Sequence, residues 1–157
     1  MVLEERFVVD VTAGRAWNFL FDTNSLAECI PGCINLKSKE KNSYIACMNA
    51  KVGPITTNFE IWINITRSHP PNFFGSTIKG YDSLMASEIH ANNFVALKEL
   101  ESTKTEIYFH SKVNLIGRLL KFGDSIINCK AKNMAEQFAQ SIRAKLKNQN
   151  ISSKLTY

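Results

Sequence analysis

The chain has 157 residues, 45% hydrophobic and 21% charged, with a formal net charge of +5. That length suits one globular domain with a sizeable core, and no run of about 18 apolar residues could cross a bilayer as a helix. The first residues, Met1-Val2-Leu3-Glu4-Glu5-Arg6, are acidic and lack a signal-peptide apolar segment, so the chain is expected to be cytoplasmic.

Phe7, Val8, Val9 and Val11 make a β-rich opening run. Thr12 or Asp10 can then cap a helix carrying Ala16, Trp17, Phe19, Leu20 and Phe21. Asp22-Thr23-Asn24-Ser25 breaks that helix, and Asp22 is expected to cap a second, short helix over 26–30 by accepting backbone N–H groups. Pro31-Gly32 stops it. From Ile34 to about Leu115 the hydrophobic period becomes two. Tyr44, Ala46, Met48, Ala50 and Val52 share one face, and Phe59, Ile61, Ile63 and Ile65 alternate strictly with polar neighbours and Trp62. Such alternation predicts a sheet with one face on the core and one in water. Short breaks at Glu40-Lys41-Asn42-Ser43, Gly53-Pro54, 68–72, Tyr81-Asp82-Ser83 and 101–104 make the strands antiparallel neighbours. Met85, Ile89, Val95 and Leu97 line one face of the next strand; Ile107, Phe109, Val113 and Leu115 line one face of the last. Beyond Gly117 the period returns to 3.6. Leu120, Ile127, Ala131, Met134, Phe138, Ile142 and Leu146 form the apolar stripe of a long amphipathic helix, flawed at Phe122-Gly123-Asp124. The domain is expected to span 1–148, with a flexible tail over 149–157.

One strand, two short helices, a long meander and one long helix predict an α+β helix grip. About seven antiparallel strands curve around the terminal helix, and the two short helices plug one end. A bent sheet of that size is not filled by its own side chains, so an apolar ligand cavity is predicted, with Trp17, Met48, Phe59, Ile61, Met85, Ile89, Phe109, Phe122, Ile126 and Met134 as its lining. Phe122 and Ile126 are placed at its ligand-facing end, and Phe138 and Ile142 at the packed end. The competing reading is that Phe59, Phe109, Phe122 and Phe138 simply fill the space.

No catalytic constellation is legible. His69 sits in a Pro-rich turn, and His90, His110, Glu60 and Glu88 fall on the outward parity. Inward polar residues are few: Ser76, Ser87, Asn93 and Ser111. Cys29 and Cys33 are read as structural, because no Cys or His cluster completes a metal site. The Lys and Arg residues are spread widely, without an aromatic RNP strand or zinc-finger spacing, so nucleic acid is not an expected partner.

The order Val9, Arg15-Ala16-Trp17, Leu20, Asp22, Leu26-Ala27, Cys29-Ile30-Pro31-Gly32-Cys33, Tyr44, Lys51-Val52-Gly53-Pro54-Ile55 and Phe59 resembles the carbon monoxide dehydrogenase G-subunit family. Thr105, Val113, Gly117-Arg118-Leu119, Gly123, Ile126-Ile127 and Gln137-Phe138 continue the likeness. The resemblance implies a START-like fold of the SRPBCC superfamily, shared with birch-pollen allergens and lipid-transfer domains. It implies a non-catalytic accessory protein, with no cofactor of its own, that holds a lipophilic ligand such as a quinone or a lipid. The implied partners are the subunits of a molybdenum-containing dehydrogenase, with peripheral contact at the inner membrane face. A cyclase- or hydrolase-like enzyme of the same fold, and a basic surface binder without internal ligand, are the alternatives.

Overall fold

The computed structural model describes residues 1–155, with side chains through Lys147. Seven strands form one antiparallel sheet: β1 (Val2–Val9), β2 (Cys33–Glu40), β3 (Ser43–Val52), β4 (Ile55–His69), β5 (Phe73–Asp82), β6 (Ser87–Glu101) and β7 (Lys104–Gly117). Their order is β1-β7-β6-β5-β4-β3-β2, so β2 to β7 is a simple meander and β1 returns to pair with the last strand. Helices α1 (Ala13–Phe21) and α2 (Thr23–Cys29) carry the chain from one sheet edge to the other. A 3-10 turn (Arg118–Phe122) precedes α3 (Asp124–Leu155), which packs along β1 on the inner face. This is the helix grip expected from the alternating periods. Register shifts at Ile65/Arg67 in β4 and Glu99/Glu101 in β6 bend the long strands, as β-bulges do.

Local chemistry sets the joints. Thr12 caps α1 by accepting from the Arg15 N–H at 3.2 Å, and Asp22 caps α2 by accepting from Asn24 and Ser25 at 3.1 and 3.3 Å. At Pro31-Gly32 the chain must turn tightly onto β3. Gly32 has φ +76°, and a Cβ there would lie 1.9 Å from the Asn49 carbonyl oxygen. Between β5 and β6 the buried Asp82 carboxylate gathers N–H groups from Asn58, Leu84 and Met85 at 3.1, 2.8 and 3.4 Å.

Several boundaries differ from the sequence reading. The opening strand begins at Val2 and ends before Val11, because pairing with β7 rather than local hydrophobicity decides its extent. Asp82 ends β5 instead of standing in the break, and Met85 lies in the turn, because Ala86 takes φ +43° and the strand resumes only at Ser87. Gly123, at φ +90°, is a true break: the stripe of the terminal helix begins at Ile127, and Leu120 belongs to the preceding 3-10 turn and faces solvent. The tail expected over 149–157 falls on residues whose side chains, and for 156–157 the backbone as well, lie outside the described part.

Two packed clusters result. One joins Phe7, Val9, Trp17, Leu20, Leu97 and Ile107 to Ile142 and Leu146 of α3. The other joins Leu36, Ala46, Phe59, Ile61, Met85 and Leu119 to Ile127. Gly32→Ala should lower stability by more than about 1 kcal/mol, since both the φ and the space are wrong for a side chain; urea unfolding checks this.

Candidate functional site

The inner face of the sheet is the natural place for a ligand, and its register can be read rung by rung. Ile61, Gly80, Ile89 and Leu115 face one another across β4 to β7, then Ile63, Ile78, Ala91 and Val113, then Ile65, Ser76, Asn93 and Ser111. The next rung holds Phe74, Val95 and Phe109, with Glu5 of β1 beside Phe109. Ile61 on the first rung is sealed in the second packed cluster and Val95 on the last in the first. Ile63, Ile78, Ile89, Val113 and Leu115 are only half-buried although they point inward. Above them α3 presents Met134, also half-buried, and Phe138, whose ring meets that of Phe109 edge-on at 6.2 Å.

The candidate lining residues divide between these environments. Phe59, Ile61 and Met85 are packed inside the second cluster. Trp17 is packed too: it stacks on Phe21 at 4.9 Å and meets Phe74 edge-on at 5.5 Å. Met48, Ile89, Phe109, Phe122 and Met134 are half-buried and border the inner space or its end. Ile126 is 46% exposed, because Ile127 takes the inward helical position beside it. Of the two residues placed at the packed end, Ile142 is fully buried and Phe138 remains half-buried. The periodicity overlooked Ile63, Ile78 and Leu115 as lining residues, although Ile63 shares the inward parity of Phe59 and Ile61.

At one end of the grip, exposed apolar side chains collect from separate elements. Leu84 of the β5–β6 turn is 73% exposed, Ile116 at the end of β7 44% and Leu120 of the 3-10 turn 42%. They join Ile126 at the start of α3. The Ser87 hydroxyl accepts from the Leu119 N–H at 3.1 Å and fixes the 3-10 turn against β6. Arg118 and Lys121 stand among these residues, both exposed. The tip is thus apolar and basic at once.

Among the described residues, titratable groups do not converge inside the grip. His90 lies 3.0 Å from Glu88 and His110 3.8 Å from Glu4, all on the solvent face. Cys29 is buried and Cys33 half-buried, and burial pushes both thiols up, away from the reactive thiolate. Among the described residues no group of three or more His, Cys, Asp or Glu is gathered that could hold a metal. A groove of about 720 Å³ does open on the sheet, but its side chains include Asn64, Lys79, Asn92, Lys112 and Asn114, which stand on the outer, polar face. It is not the interior of the grip. No helix of the described residues is long and apolar enough to cross a membrane.

Residues 6–147 match the family profile of the carbon monoxide dehydrogenase G subunit (CoxG). The chain belongs to this family. No curated protein matches it. Among solved structures it is similar to a conserved protein from Geobacillus kaustophilus, with 18% identity, 92% of this chain and 94% of that one covered, and a TM-score of 0.83. It is also similar to a START superfamily protein from Mycobacterium smegmatis (8% identity, 94% and 98% covered, TM-score 0.72). A third likeness is to the ZhuI aromatase/cyclase from Streptomyces sp. R1128 (8% identity, 95% and 94% covered, TM-score 0.71). At these identities the structures show the fold, which is START-like. For this CoxG-family member the inner ladder is therefore the face that the fold encloses.

Glu5 of β1 also lies on the inner face, beside Phe109. Glu5 has its carboxyl raised above the ordinary 4.5, first by burial and then by Glu136 of α3. A raised acid binds its proton more tightly in the folded state. Its contribution is therefore present below the unfolded pKa and lost as pH rises through the folded one. Glu5→Gln should raise the melting temperature at pH 7 and leave it unchanged near pH 3, as melting curves across that range will show.

Proposed function

We propose that this chain is a non-catalytic carrier that holds a lipophilic molecule inside the grip and serves a molybdenum hydroxylase-type dehydrogenase at the membrane. The observation that carries this reading is the band of inward aliphatic side chains, Ile63, Ile78, Ile89 and Leu115, which pack against the second cluster yet stay only half-buried. Apolar residues that point into a fold yet keep solvent contact are what an apolar ligand covers. A lipid or a quinone matches that surface. Membership in the CoxG family supports the accessory role and the dehydrogenase partner. Contact with the membrane is supported by the tip, where Leu84, Leu120 and Ile126 can enter the interface while Arg118 and Lys121 meet anionic headgroups.

Protein purified without organic solvent should release a co-purified lipophile in native mass spectrometry and bind N-phenyl-1-naphthylamine at about one site per chain. Ile78→Trp fills the half-buried band and should abolish binding with little change in melting temperature. The same replacement at Met85 would overpack a sealed cluster and cost about 1–3 kcal/mol. A wild type that carries no lipophile and binds no probe contradicts the carrier reading. Leu84→Glu combined with Ile126→Glu should reduce sedimentation with phosphatidylglycerol vesicles while leaving probe binding intact; unchanged sedimentation would remove the tip from the membrane contact.

A further inference from the structure

Across the middle of the inner face, one rung is polar. Ser76, Asn93 and Ser111 stand side by side on β5, β6 and β7. Apolar rungs flank them: Ile78, Ala91 and Val113 toward the tip, and Phe74, Val95 and Phe109 on the other side. The Asn93 Nδ2 donates to the Ser76 hydroxyl at 3.2 Å. That bond uses one of the amide's two N–H groups and leaves its oxygen free to accept. Ser111 is only 3% exposed, yet its hydroxyl has no side-chain partner among the described residues. No polar side-chain atom of the described residues is both sealed from solvent and unpaired, so the unpaired Ser111 hydroxyl keeps some solvent contact.

Hydrogen-bonding groups on an apolar floor rely on water where no protein group pairs with them, and a ligand that displaces that water without replacing its bonds leaves them costly. Three apolar side chains of similar size would have made a simpler floor. We propose that this rung is the polar anchor of the carrier site, and that its ligand is a neutral apolar molecule bearing a carbonyl or hydroxyl oxygen. The proposal rests on the carrier reading above and adds which chemistry the site selects. Ser111 Oγ–H and the second Asn93 N–H donate to a carbonyl; Asn93 Oδ1 accepts from a hydroxyl. The ligand's hydrocarbon part then lies over Ile78, Ile63 and Leu115. An anionic headgroup is disfavoured, because the ionisable side chain nearest on the same face is a carboxylate: Glu5 stands opposite Phe109, one rung from Ser111.

Two neutral fluorescent probes of the same shape test this. One is 6-propionyl-2-(dimethylamino)naphthalene, whose emission reports hydrogen bonding to its ketone; the other is its propyl counterpart, which lacks the oxygen. Their affinities are measured for the wild type, for Ser111→Ala and for Asn93→Leu. Each variant should lower the ketone-to-alkyl affinity ratio about five- to tenfold and shift the bound ketone's emission to shorter wavelength. Ser111→Ala breaks no protein hydrogen bond, so it stands as the test if Asn93→Leu fails to fold. If the wild type binds both probes and Ser111→Ala keeps both the full ratio and the emission, the anchor is wrong while the carrier reading stands. If the wild type binds neither probe, the carrier reading fails and the anchor with it.

Discussion

An antiparallel sheet with one apolar face exists in water only if that face is covered, and here one helix supplies most of the cover. The strict alternation of β4 makes the requirement absolute, since its inward positions from Phe59 to Ile65 are all large and apolar. α3 meets it at two places. Ile142 and Leu146 bury against β1 and the first helices, and Ile127 buries against the second cluster. Lys145 of α3 and Glu28 of α2 form an ion pair at the surface that joins the cover to the plug; such exposed pairs add little stability. Because the sheet is wide and the helix narrow, the cover is complete at the ends and thin in the middle. The half-buried band follows from that mismatch in size and needs no special device.

The same mismatch accounts for how polar chemistry is distributed. Charged and aromatic side chains pair on the outer face, as where Arg6 lies over the Tyr108 ring at 4.4 Å and also bonds Glu106. Inside, apart from Glu5, the polar side chains beneath the helix are short. Thr57 and Thr105 turn their hydroxyls to the carbonyls of Ala50 and Val11 and are thereby satisfied. Ser87 is committed on both sides, donating to Met85 and accepting from Leu119. Ser111 stands apart because it has no such local employment.

Periodicity made much of this legible. The switch from 3.6 to two and back gives the order of elements, and Asp22 announces its cap by standing before Thr23-Asn24-Ser25. Parity placed His90, His110 and Glu88 outside, where they are. The misses share one cause: they depend on what lies across space. Asp82 looks like a turn residue until Asn58 of β4 is seen donating to it. Met85 looks like a strand residue until Ala86 adopts its positive φ. Which inward side chains are sealed and which are half-open depends on the path of α3 over the sheet, and no local pattern records that path. Phe59 and Ile63 therefore look alike in sequence and differ in the fold.

The return of β1 to pair with β7 also governs how the chain can be made. Val2 lies opposite Lys112 and Val9 opposite Thr105, so this edge joins residues separated by most of the sequence. The meander from β2 to β7 needs only neighbouring hairpins and can form as it leaves the ribosome, whereas the first strand must wait for the last. Until then the edge of β7 and the apolar side of α1 are both uncovered. The growing chain is therefore most open to aggregation between completion of the meander and capture of its own beginning, a vulnerable interval set by topology rather than by any single residue.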